Sequence, residues 1–228
     1  MSEANQVNKI RVWDLPTRLF HWALVLAVLG AVVSAKIGGL MMAWHLRCGY
    51  AIAALLVFRL LWGIVGGHWS RFRQFFYTPA AFVRYLRGRP LPEDCFEIGH
   101  NPLGALSVLL MLAWLGLQVG SGLIADDEID TTGPLVAWVS SDTSQRWTGQ
   151  HTGLGQWGLI AMVAVHVAAI LFYRCFKRRN LLAPMISGDK MVARVVEHSA
   201  DTLATRLFAL TLAAACAAAV WLLVNAAG

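Results

Sequence analysis

Four histidines decide how this sequence is read. His21, His45, His151 and His166 lie within or at the ends of long apolar stretches that hold almost no other ionisable side chain. Imidazole serves as a metal ligand, a general base or a proton carrier. Keeping an ionisable group in hydrocarbon is costly, so a survivor there points to function. Any one of them also fits a plain role as a hydrogen-bonded residue at a helix end. Their relative depths make the stronger argument, and depth is set by the helices that carry them.

Of the 228 residues, 57% are hydrophobic and 14% charged, and the mean hydropathy is +0.57. A soluble domain is about a quarter charged. Disorder, a coiled coil and most soluble enzymes are therefore excluded. Apolar windows run from Leu19 to Ala35, Leu46 to Val65, Leu103 to Ile124, Leu154 to Tyr173 and Leu207 to Val224. Each is near the roughly 20 residues that cross a bilayer. The first reads as a retained helix, not a cleaved signal. Cys48, Cys95, Cys175 and Cys216 are far apart, so they suggest neither a disulfide framework nor covalent haem attachment.

Fifteen of the nineteen Lys and Arg residues fall before the first span or in the connections after the second and fourth. The opposite side carries Asp126, Asp127, Glu128, Asp130 and Asp142. The positive-inside rule then places the N-terminus in the cytoplasm and, with five spans, the C-terminus outside. The +6 net charge is topological and implies no nucleic acid. Residues 80–86 suggest a short interfacial helix, 134–139 an apolar patch in the outer loop, and 187–206 an amphipathic helix lying on the lipid.

His21 starts the first span and His166 ends the fourth, which puts both near the inner face. His45 starts the second span and His151 the fourth, near the outer face. The fifteen residues from His151 to His166 span roughly 22 Å. Two stacked bis-imidazole sites follow, one in each leaflet. Zinc would ask for four ligands with sulfur or carboxylate among them. A haem iron asks only for axial imidazoles in an apolar pocket. Gly30, Gly49, Gly116, Gly120, Gly122, Gly153, Gly155 and Gly158 suit either a flat macrocycle or close helix packing. Arg59, fourteen residues beyond His45 and so about 21 Å deeper on nearly the same face, is placed to meet a propionate of the inner haem. Arg47 offers the same for the outer haem. His100, in a Gly-His-Asn-Pro helix start, reads as structural.

The runs Val12-Trp13-Asp14-Leu15-Pro16-Thr17-Arg18-Leu19-Phe20-His21-Trp22, His45 to Gly49, Phe58-Arg59-Leu60-Leu61-Trp62-Gly63 and Gly99 to Gly104, with His151 and His166, resemble the prokaryotic cytochrome b561 and nickel–iron hydrogenase b-type cytochrome group. The resemblance covers about residues 11–190. It implies an all-α integral membrane fold, a four-helix haem-binding bundle at 1–190, with 191–228 left as an interfacial segment and a fifth C-terminal transmembrane helix. It also implies two non-covalent b-type haems with His21, His45, His151 and His166 as axial ligands. One departure stands out: the family usually has one residue fewer between the histidines of the fourth span. Fifteen residues rotate the second ligand by about 60° and fourteen by about −40°. A π turn near Gly153, Gly155 and Gly158 would absorb the difference.

The expected function is electron relay between the quinone pool and a redox partner. That partner is a periplasmic protein such as a cytochrome c, or an oxidoreductase subunit. Two other functions compete: a stand-alone superoxide:quinone oxidoreductase, and a haem-free proton-coupled transporter using the histidines as a relay.

Overall fold

The computed structural model describes residues 8–226. Among them, five helices are long and apolar enough to cross a membrane. They are α1 (Leu15–Ile37), α2 (Met42–Val65), α4 (Pro102–Leu123), α6 (Gln156–Cys175) and α8 (Leu203–Ala226). Shorter helices are α3 (Pro79–Leu86), α5 (Ser141–Gln150) and α7 (Leu182–Ser187). Two strands, β1 (Asn8–Arg11) and β2 (Asp189–Val192), pair antiparallel with Ile10 opposite Lys190. This small sheet is the exception to the expected all-helical chain.

Helix starts follow from local chemistry. The Asp14 carboxylate accepts the Thr17 amide at 2.7 Å to cap α1, and Asn101 accepts the Gly104 amide at 2.8 Å with Pro102 as the first residue of α4. Thr78 and Ser140 cap α3 and α5 in the same way. Each side-chain oxygen satisfies an amide that the helix itself leaves unpaired.

The described residues fall into two compact units. The first comprises 8–19, 59–109 and 168–209. Its core is Ile10, Val12, Trp13, Trp69, Ile98 and Val192. Asp14, wholly buried, is its polar hub. Besides Thr17 it accepts bonds from Trp62 Nε1 (3.2 Å), the Gly67 amide (3.1 Å) and the Ser70 hydroxyl (2.9 Å). A Cβ on Gly67 would lie 2.3 Å from the Asp14 carboxylate, so that position is closed to larger residues.

The first unit also corrects the reading of 187–206. That stretch is not an amphipathic helix. It is strand β2 followed by an extended segment laid along β1. The Ser199 amide donates to Arg11 O at 2.8 Å, its hydroxyl donates to Val12 O at 2.7 Å, and Trp69 Nε1 donates to Glu197 O at 2.8 Å. Asp201 receives the Leu15 amide at 3.2 Å and pairs with Arg11 and Arg206. Backbone pairing and the burial of Val192 outweigh the weak helical pattern of a segment rich in valine. Gly188, at φ +86°, makes the turn into β2, where a Cβ would be 2.6 Å from Trp13 O.

The second unit comprises 20–58, 110–167 and 210–226. Its core joins the first four spans: Leu24 and Val28 of α1, Ile52 and Leu56 of α2, Leu112 and Leu115 of α4, Leu159 and Val163 of α6. Gly30 lets α1 approach α2, since a Cβ there would be 2.9 Å from Cys48 Sγ. The fourth span begins earlier than its apolar window: α5 runs through a five-residue π turn, His151–Gly155, directly into α6. Arg146 sits on α5, paired with Asp142 at 3.0 Å.

Candidate functional site

In the second unit, α2 and the π turn bring His45 and His151 together. Their ring centres are 5.9 Å apart and their planes cross at 84°. His45 Nδ1 lies 2.9 Å from Ala31 O of α1. His151 Nδ1 lies 2.9 Å from Gln118 O and 3.1 Å from Ser121 Oγ, both on α4. A carbonyl can only accept, so each Nδ1 carries the proton and each Nε2 keeps its lone pair. Metal-binding histidines are usually held in this way, by a hydrogen bond through the other nitrogen.

A π turn at His151–Gly155 carries His151, at the place where the family resemblance predicts one. Gly153 leaves helical geometry at φ −94°, ψ −110°, and the turn takes up one extra residue, as the spacing required. Side chains of α4 brace it: Gln118 Nε2 donates to His151 O and Trp114 Nε1 to Gly155 O, each at 2.9 Å. Gly155 and Gly158 allow that approach. Cβ atoms there would lie 2.2 Å from Gln118 Oε1 and 2.2 Å from Trp114.

His45 and His151 both line a cavity of about 260 Å³ whose walls include Val28, Leu115, Val119 and Leu159. Gly49 opens onto it with nothing within 4 Å of a Cβ position. Gly122 does the opposite, since a Cβ there would be 2.8 Å from the His151 ring. A metal–imidazole bond is about 2.0 Å and the ring centre about 1.1 Å beyond the nitrogen, so two imidazoles on opposite sides of one ion have centres roughly 6 Å apart. The observed separation fits that arrangement. Among the described residues no cluster of three or more His, Cys, Asp or Glu could hold a metal ion. The donor set therefore suits an iron whose remaining ligands come from a macrocycle.

His21 of α1 and His166 of α6 also lie in the second unit. His21 Nδ1 is buried without a hydrogen-bond partner, and its ring stands edge-on to Trp22 at 5.0 Å. In the first unit Arg59 is 3% exposed, lies 4.6 Å from the centre of the Phe72 ring, and has a buried Nη1 without a hydrogen-bond partner. Arg47 lies over Trp44 at 4.9 Å and is not in the cavity wall.

His100 packs in the first unit between Trp13 and Phe75, each at 4.7 Å. The Tyr77 hydroxyl donates to its carbonyl at 2.5 Å, and burial pushes that phenol up to about 12, so it stays a donor. These contacts match the structural reading of the Gly-His-Asn-Pro run. Sequence reasoning missed Ser121, Gln118 and the individual part of Gly122. The glycines of α4 carried a signal, but nothing in the sequence separates Gly122 from Gly116 and Gly120.

Comparison with known proteins identifies the family. The family described as prokaryotic cytochrome b561 matches residues 12–188. A probable Ni/Fe-hydrogenase B-type cytochrome subunit of Bradyrhizobium diazoefficiens is 26% identical over 220 residues, covering 79% of this chain and 85% of that protein. One from Azotobacter vinelandii is 27% identical over 218 residues, with 80% and 88% covered. One from Cupriavidus necator is 23% identical over 224 residues, with 82% and 89% covered. No solved structure matches the chain.

Proposed function

Because the chain belongs to the prokaryotic cytochrome b561 family, we propose that it relays electrons through two b-type haems between the quinone pool and a redox enzyme. The observation that carries this reading is the His45–His151 pair, with both Nδ1 atoms occupied and both Nε2 atoms left for iron. His21 and His166 are the ligands of the second haem. When bound, haem supplies a one-electron redox centre, while the protein sets ligand basicity, burial and the charges nearby.

Each residue then has a task. Ala31 O and Gln118 O orient the two outer imidazoles and fix their tautomers. Gly49 leaves room for a flat group, Gly122 lets the His151 ring sit against α4, and the apolar wall keeps water from the site. Arg59, a buried cation with an unfilled Nη1, is suited to a propionate carboxylate.

The relatives are named as hydrogenase cytochrome subunits, which favours an oxidoreductase subunit over a free cytochrome c as partner. The basic connections support an inner-membrane protein with a cytoplasmic N-terminus and a periplasmic C-terminus. A reduced-minus-oxidised difference spectrum of the purified protein, with haem counted against protein, tests the proposal. Two b-type haems per chain are expected. A spectrum without a Soret band would overturn it and would favour a haem-free transporter.

A further inference from the structure

The cavity that holds His45 and His151 has one Lys or Arg in its wall among the described residues, and it is not Arg47. It is Lys36, in the last turn of α1. Its ammonium lies 5.5 Å from the centre of the Trp157 ring, and it forms no ion pair among the described residues. Ala31, whose carbonyl holds His45, precedes Lys36 by five residues on the same helix. The lysine is thus about 7.5 Å further along α1, one and a half turns beyond the level of the ligand. Gln156, at the start of α6, lies in the same wall. Thr152, also in the wall, already spends its hydroxyl on Thr148 O at 2.9 Å.

The wall therefore offers two kinds of ligand: a pair of imidazole nitrogens for a metal, and the ammonium of Lys36. A macrocycle bearing carboxylates needs both, because an anion taken into an apolar cavity requires a cation or donors beside it. We propose that Lys36 binds a carboxylate of the group held by His45 and His151 and so raises its reduction potential. The proposal rests on the haem reading above. A positive charge near the centre favours the state that has gained an electron. Losing it disfavours that state.

The test is a potentiometric titration of the purified protein, with the His45–His151 centre identified by its low-spin resonance. Lys36→Met should lower the midpoint of that centre by about tenfold in the reduction equilibrium, which for one electron is about 59 mV. Lys36→Arg should restore it, and the other centre should not move. Lys36→Gln gives the same reading if the methionine variant fails to insert. A packing role on Trp157 alone would change thermal stability and leave the midpoint in place, which would overturn the proposal. A larger drop in Arg47→Met than in Lys36→Met would also overturn it. Absence of the low-spin signals from the wild-type protein would overturn the haem reading and this proposal together. Their presence with an unmoved midpoint would overturn this proposal alone.

Discussion

His45 and His151 stand with ring centres 5.9 Å apart and planes crossed at 84°, each held through Nδ1 by a main-chain carbonyl of a neighbouring helix. The pair joins four elements: α1 through Ala31, α2 through His45, α4 through Gln118, and the π turn through His151. Their alignment is therefore a property of the bundle, and changes that spare the imidazoles can still displace them.

Gly122 is the sharpest case. A Cβ there would sit 2.8 Å from the His151 ring, whereas Gly116 and Gly120 have nothing within 4 Å. Gly122→Ala should abolish or shift the low-spin signal of the outer haem, and Gly120→Ala should leave it intact. Electron paramagnetic resonance of the two variants checks this. Equal behaviour would mean that the ring is not seated against α4.

The π turn gives a second prediction. Removing Gly153 leaves fourteen residues between the histidines, which regular α-helix places about −40° apart. If the π turn only takes up the surplus residue, the deletion variant should keep both haems and both low-spin signals. Haem stoichiometry and resonance on the purified variant read the outcome. Loss of the outer signal would show that the turn itself positions His151.

Much of this was legible because chemistry in a membrane is sparse. Five spans and the level of His45 with His151 follow from composition and counting, while the π turn near Gly153 was expected only from the family resemblance. The caps at Thr78, Ser140 and Asn101 are the residue types that helix starts prefer. The motif around Asp14 was visible only as a resemblance. Its physical reason, a carboxylate gathering donors from Thr17, Trp62, Gly67 and Ser70, depends on residues up to 56 positions apart. Strand β2 escaped because four residues pair with a strand about 180 positions away, and local periodicity holds no trace of that. Arg47 and Lys36 could not be ranked either. Both lie near outer helix ends, and only packing decides which one enters the cavity wall.

The tail sets a boundary for truncation. Stopping after Lys190 removes Val192, Ser199 and Asp201. The first unit would then lose a buried valine worth about 1.5–3 kcal/mol and leave Trp69 donors unpaired at about 1–3 kcal/mol each. Such a chain should insert poorly or melt many degrees lower. Stopping after Thr202 keeps Val192, Ser199 and the Asp201 bond to the Leu15 amide, and among these contacts loses only the Asp201–Arg206 pair. It removes α8, which contributes no residue to the four-helix core around Leu115 and Leu159. That variant should retain both haems. Thermal unfolding and haem content of the two truncations decide the matter, and loss of haem from the longer one would give α8 a part in cofactor binding.

The central claim is that four histidines form two pairs. Its most direct test is electron paramagnetic resonance of the four single alanine variants in membranes, because an iron that loses one imidazole loses its low-spin signal even if the porphyrin stays. His45→Ala and His151→Ala should remove the same signal, and His21→Ala and His166→Ala should remove the other. The account is contradicted if His151→Ala leaves both signals in place, or if His21→Ala and His45→Ala abolish the same one.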